Sequence, residues 1–249
     1  MDTTRKTAII TGASKGIGRA ISLNFATNNI DVVLAARNKN QLQQVHSEIE
    51  KINIVRSVIV PTDVTNEKQV KNLVETTIDQ FGKVDILVNN AGVGRFKRAD
   101  EFKLADYHYM FDVNVKGVFL VTKYVVPHML ARESGQIINI ASIAGKTGFK
   151  TGTLYSASKY AVVGYTWSLR EDLKEHKIKV SVICPGSVVT AFGKKQPERV
   201  EWSMEPEDVA HACNYLVSES DTVNTAEIII KPRYNPRTID WKRRRGKGK

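Results

Sequence analysis

The chain has 249 residues, 42% hydrophobic and 25% charged, with a formal net charge of +11. That balance belongs to a chain that buries a core, and it excludes a disordered, collagen-like or disulfide-built protein. No uncharged apolar run approaches the roughly 20 residues of a membrane span, and the polar Met1–Lys6 leads straight into a strand-like run, so no secretory signal is expected ahead of the fold.

Apolar runs alternate with helix-period segments almost end to end. The expected order is strand Thr7–Ile10, helix Gly18–Thr27, strand Val32–Ala35, helix Leu42–Lys51, strand Val55–Val60, helix Glu67–Gln80 and strand Ile86–Val88. Helix Tyr107–Ala131, strand Ile137–Ile140, helix Tyr155–His176, strand Val180–Ile183, helix Pro206–Val217 and strand Ile228–Ile230 follow. Strands alternating with helices predict an α/β fold, a doubly wound parallel sheet of about seven strands with helices on both faces. No linker or repeat divides the chain, which predicts one domain over 1–232 and a tail over 233–249. Eight Lys/Arg and one Asp fall in that tail, so the first 232 residues carry only +4 of the net charge. A solvated tail is the plain expectation, and electrostatic contact with nucleic acid or an acidic membrane is the alternative. Cys184 and Cys213 lie in separate apolar segments without metal-ligand spacing, which fits buried thiols in a reducing, cytoplasmic setting and no metal.

The first strand runs into Thr11-Gly12-Ala13-Ser14-Lys15-Gly16-Ile17-Gly18 and then a helix. Glycines at such a turn let backbone approach a pyrophosphate, and the helix N–H groups face it, so the segment predicts a dinucleotide site. An acid about 20 residues on usually holds the adenosine ribose. Asp31 has that spacing but precedes the second strand, at the end away from the ligand crevice. The carboxyl end reads Ala35-Ala36-Arg37, with no carboxylate to repel a 2′-phosphate and a guanidinium to bind it. Lys15 adds a second positive charge, and the expected cofactor is NADP(H).

Asn89-Asn90-Ala91-Gly92 follows the fourth strand and Ser142 the fifth. Tyr155 and Lys159 stand as Tyr-x-x-x-Lys, and Pro185-Gly186-Ser187-Val188-Val189-Thr190 follows the sixth strand. With Thr11–Gly18, these ordered motifs resemble the short-chain dehydrogenase/reductase family over roughly residues 5–231. The resemblance implies a Rossmann-like fold and hydride exchange between nicotinamide and a ketone, aldehyde or secondary alcohol. It assigns catalysis to Asn114, Ser142, Tyr155 and Lys159. Ser142 would orient the reacting oxygen, and Asn114 would hold a water in a relay through Lys159. Cofactor contacts would come from Gly12, Ser14, Lys15, Gly16, Ile17, Gly18, Arg37, Asp63 and Val64. Asn89, Ala91, Gly92, Tyr155, Lys159, Pro185, Gly186, Val188 and Thr190 would complete the set.

Residues four apart share a helix face, so Tyr155 and Lys159 point the same way. A free tyrosine titrates near 10; a neighbouring ammonium and an oxidised nicotinamide are expected to lower it, letting Tyr155 trade a proton with a carbonyl or alcohol oxygen. With NADP, the resemblance implies a carbonyl reductase. The alternatives are an NAD-dependent alcohol dehydrogenase of the same fold, and a cofactor sensor or nucleic-acid binder acting through its tail. In the family, Ala191–Glu205 closes over substrate; here Phe192, Trp202 and Met204 point to a partly apolar one, and Lys194, Lys195 and Arg199 to a carboxylate or phosphate. By the resemblance, the two long helices would join a homodimer or homotetramer, although the last strand is not followed by the glycine-rich segment of many members, which counts against a tetramer built with the usual C-terminal contacts.

Overall fold

A computed structural model describes residues 5–52, 55–190, 192 and 202–234. The basic segment 235–249 lies outside the described residues, as do Lys194, Lys195 and Arg199. Seven strands form one sheet: β1 (Thr7–Thr11), β2 (Asp31–Ala36), β3 (Ser57–Pro61), β4 (Ile86–Asn89), β5 (Gly135–Ile140), β6 (Ile178–Pro185) and β7 (Glu227–Ile230). The order is β3-β2-β1-β4-β5-β6-β7, and every pairing is parallel. Central strands such as TAIIT in β1 and ILVN in β4 are buried throughout, as strands covered on both faces must be.

Between the strands lie α1 (Gly16–Thr27), α2 (Lys39–Glu50), α3 (Glu67–Phe81), α4 (Leu104–Phe111), α5 (Gly117–Leu130), α6 (Thr153–Leu173) and α7 (Pro206–Ser218). Successive residues of each strand feed opposite cores. Ala8 and Ile10 pack with Phe25, Leu42, Val209 and Leu216 under α1, α2 and α7. Ile9 and Leu87 pack with Leu73, Val121 and Leu173 under α3, α5 and α6. The steps from β5 to β6 and from β6 to β7 run the same way across the sheet, yet α6 and α7 lie on opposite faces. The last crossover therefore has the opposite hand to the one before it, against the usual rule. Residues on both sides of this crossover, Gly186–Thr190 after β6 and Trp202 and Ser203 before α7, line the cleft at the carboxyl ends of the strands.

The expected helix Tyr107–Ala131 is interrupted. A π-helical turn, Asp112–Lys116, separates α4 from α5 and carries Asn114. Single π turns commonly mark functional sites, and this one aims the Asn114 amide at the loop after β4: Oδ1 accepts from Val93 N at 2.8 Å and Nδ2 donates to Val93 O at 2.9 Å. Periodicity does not detect one extra residue in a turn. Among the described residues no helix is long and apolar enough to cross a membrane.

Candidate active site

A cleft of about 1630 Å³ opens at the carboxyl ends of the strands. In this strand order the connections diverge between β1 and β4, which is where α/β sheets bind ligands. Its floor is the turn between β1 and α1. Gly12 and Gly16 hold φ of +66° and +54°, and a Cβ on Gly18 would collide with the Gly12 carbonyl oxygen. Asn90 fastens the turn: its Nδ2 donates to Thr11 O at 2.9 Å, while Asn90 N and Ala91 N donate to Thr11 Oγ1 at 3.0 Å each. Lys15 stands at the N-cap of α1 and gives no side-chain cap, and no acid occupies the first turn. The first N–H groups of α1 thus have no side-chain acceptor there, and these glycines leave room for a phosphate group to approach them. The residues present fit a dinucleotide.

Gly12, Ser14, Lys15, Gly16 and Ile17 line the cleft, and Gly18 lies buried beneath them. Arg37 lines it beyond the carboxyl end of β2 and is exposed, with no ion pair to a described residue. Asp31 sits at the other end of that strand, fully buried, and binds Arg56 Nε at 3.0 Å and Nη2 at 2.8 Å. It is a structural ion pair, as its position before the strand predicts. Asp63 and Val64 line the cleft too; Thr65 donates to Asp63 Oδ1 through its N–H at 3.0 Å and its hydroxyl at 2.8 Å. On the far wall, Pro185, Gly186, Val188 and Thr190 follow β6, and a Cβ on Gly16 would stand 3.2 Å from the Thr190 methyl.

Asn89 does not belong to this wall. It is buried inside the α3/α5/α6 face of the fold, where its Nδ2 donates to Asn139 Oδ1 at 2.9 Å and Thr122 Oγ1 at 3.1 Å. Strand alternation explains the correction: Asn89 points into the layer and Asn90 into the crevice. Of the expected cofactor residues after β4, Ala91 and Gly92 line the cleft, and Asn90 joins them.

Ser142, Tyr155 and Lys159 meet at the cleft's inner end. Ser142 leaves β5 and caps a short 3₁₀ turn, accepting from Ala144 N at 3.1 Å, with its hydroxyl 3.5 Å from Pro185 O. One hydroxyl can accept from Ala144 N and still donate to a reacting oxygen. Lys159 Nζ donates to Ile140 O at 3.0 Å and lies 6.0 Å from the centre of the Tyr155 ring. Asn114 does not line the cleft. It is buried, and its Nδ2 also donates to Ser158 Oγ at 3.0 Å, one residue before Lys159. A Cβ on Gly92 would stand 3.4 Å from Asn114 Oδ1 and 3.5 Å from Lys159 Nζ, so the two meet under Gly92.

Burial dominates the titration of this pair. Tyr155 is 9% exposed and is pushed up to about 12 by desolvation, with Ser142 pulling weakly the other way. Desolvation pushes Lys159 down to about 8. The neighbouring ammonium expected to lower the tyrosine is outweighed by burial, because both groups are dry and 6.0 Å separates the ammonium from the ring centre. Tyr155 therefore holds its proton throughout the neutral range. Sequence reading also misses Phe96 and Phe149, which line the same end of the cleft; isolated loop phenylalanines carry no motif.

The profile of the short chain dehydrogenase family matches residues 6–201. An uncharacterized oxidoreductase of Staphylococcus aureus (strain USA300) is 37% identical over 92% of this chain and 98% of its own. Among solved structures, the alcohol dehydrogenase of the archaeon Thermococcus sibiricus, complexed with 5-hydroxy-NADP, superposes with a TM-score of 0.88 at 27% identity, covering 93% of this chain and 98% of that one. Carveol dehydrogenase from Mycobacterium avium, in complex with NAD, shares the fold with a TM-score of 0.85 at 22% identity, covering 93% and 98%. With the ordered motifs gathered at one crevice and the family profile matched over most of the fold, this chain belongs to the short-chain dehydrogenase family and is an oxidoreductase.

Proposed function

We propose that the protein is an NADPH-dependent carbonyl reductase. The observation that carries the cofactor choice is Arg37, an exposed guanidinium lining the cleft beyond β2, while the one acid in β2 is buried at the opposite end against Arg56. A 2′-phosphate on the adenosine ribose would meet Arg37, and no carboxylate in the Ala35-Ala36-Arg37 turn would repel it. When bound, the cofactor supplies a hydride to a carbonyl carbon. Tyr155, protonated at neutral pH, passes its proton to the carbonyl oxygen, so carbonyl, NADPH and a proton become alcohol and NADP⁺. Ser142 holds that oxygen, and the Lys159 ammonium stabilises the negative charge left on Tyr155. A proton already in place favours reduction over oxidation.

Equilibrium binding of NADPH and NADH to the full chain tests the cofactor assignment. The expected preference for NADPH is about tenfold to a hundredfold, the worth of charge-assisted bonds to a phosphate. Arg37→Asp should abolish or invert it. Equal binding of both cofactors by the native chain, or a preference untouched by Arg37→Asp, would remove the assignment.

The oligomer belongs to the same proposal. Phe119 on α5 and Tyr160 and Trp167 on α6 are each more than 40% exposed, an apolar face that a second copy would cover to give a homodimer. Sedimentation velocity should show a dimer that Trp167→Glu dissociates; a monomeric native chain contradicts it. The free, buried Cys184 and Cys213 accord with work in the reducing cytoplasm.

A further inference from the structure

Three phenylalanines from separate loops converge on the Tyr155 ring. Phe96 stands 5.4 Å from it at 73°, Phe192 5.6 Å at 58° and Phe149 6.4 Å at 75°, with Phe96 and Phe149 5.9 Å apart. All four line the cleft. The rings are seated on glycines: a Cβ on Gly94 would press within 2.7 Å of Phe192 and 3.0 Å of Phe96, and one on Gly152 would overlap Phe149. Phe96 and Phe149 nevertheless remain 44% and 47% exposed. Aromatic surface held in place and left wet beside a proton donor is surface that a ligand can cover.

Of the charged residues near these rings, Lys159 lies in the cleft and Lys150 is exposed beside Phe149, while Arg95, Lys97 and Lys146 are paired. Arg95 and Lys97, which flank Phe96, both bind the buried carboxylate of Asp106, which they hold well below the usual carboxylate range. Lys146 pairs with Glu227 at 2.8 Å. Val93 and Ala144 add apolar surface beside the rings. A cationic ligand would meet the Lys159 ammonium under the cage, which disfavours an ammonium guest.

Building on the reductase proposal, we infer that Phe96, Phe149 and Phe192 form an aryl-binding cage, and that the substrates are uncharged ketones or aldehydes whose carbonyl is attached to a flat aromatic ring. The ring lies among the phenylalanines and the carbonyl oxygen reaches the Tyr155 hydroxyl.

Two readouts on the full chain separate this inference from the reductase proposal. Saturation-transfer NMR with acetophenone, 2-octanone and 2-oxooctanoate reads binding in the presence of NADP⁺, and NADPH oxidation reads turnover of the same three. The cage predicts binding of acetophenone about tenfold or more tighter than either linear compound. Phe96→Ala and Phe149→Ala should collapse that ratio, and Phe96→Leu, which keeps apolar bulk without the flat ring, should do so while retaining the thermal midpoint of the native chain. Equal or better binding of 2-octanone or 2-oxooctanoate, or an aryl preference that survives all three variants, overturns the cage. Aryl-selective binding that the variants erase upholds the cage even if none of the three is reduced, and that result counts against the reductase proposal alone.

Discussion

Tyr155→Phe should lower carbonyl reduction by about 10²–10⁴-fold, the usual worth of a positioned general acid, while NADPH still binds. The substitution removes one hydroxyl from a ring that is packed against Phe96 and Phe192, and it leaves those contacts intact. It also removes a buried hydroxyl whose neutral form burial already favours, so the fold should not suffer. The distinguishing measurement is NADPH oxidation followed at 340 nm beside NADPH binding. A variant that keeps more than about a tenth of native turnover would show that another group delivers the proton, since removing a true general acid rarely costs so little. Because Tyr155 stays protonated to about 12, its own titration should not limit reduction between pH 6 and 8.

The periodic, doubly covered parts of the fold are legible in the sequence because their physics is local. Runs such as Val32–Ala35 and Ile137–Ile140 can only be buried strands between helical layers, and each lies within a residue or two of the observed strand. The glycine turn is legible because it combines positive φ with close backbone approach. What escapes depends on three-dimensional neighbours. The π turn at Asp112–Lys116 answers to Val93, 21 residues before Asn114, and no helical period announces it. Asn89 and Asn90 are chemically identical, and only strand alternation separates the core residue from the one that fastens the turn. The tyrosine–lysine motif names its two residues but not their protonation, because desolvation depends on Met110, Ala144 and the aromatic cage around them. The hand of the last crossover is hidden in the same way, because it depends on α7 packing against α1.

Lys159→Met should make the cofactor-free protein more stable and nearly inactive. Lys159 is 5% exposed, and burial lowers it from 10.5 to about 8. A difference of that size corresponds to about 3 kcal/mol spent at neutral pH on keeping the ammonium in a dry site. Methionine has similar length and no charge to desolvate. It leaves the Ile140 carbonyl without its 3.0 Å charged donor, a loss of about 1.5–2 kcal/mol, so a net gain of about 1 kcal/mol is expected near pH 7. For a chain of this size that is a rise of a few degrees in the unfolding midpoint. The sign has a pH signature. Between about 8 and 10.5 the unfolded chain carries the Lys159 proton and the folded chain does not, so this group makes the native protein more stable as pH rises through that window. The advantage of the methionine variant should therefore be full below about pH 8 and shrink towards 10.5. Cys184 and Tyr155, raised to about 11 and about 12, and Cys213, raised further, lower stability above pH 9 in both proteins. The contribution of Lys159 is accordingly the difference between the two unfolding curves at each pH. Turnover should fall by at least about a hundredfold, because the ammonium no longer faces the charge that develops on Tyr155. A variant less stable than the native chain at pH 7, or a stability difference that does not narrow with rising pH, would mean that the lysine is neutral or well paired in the folded state. The strain between a costly buried cation and a proton transfer that needs it is what a functional site imposes on its fold.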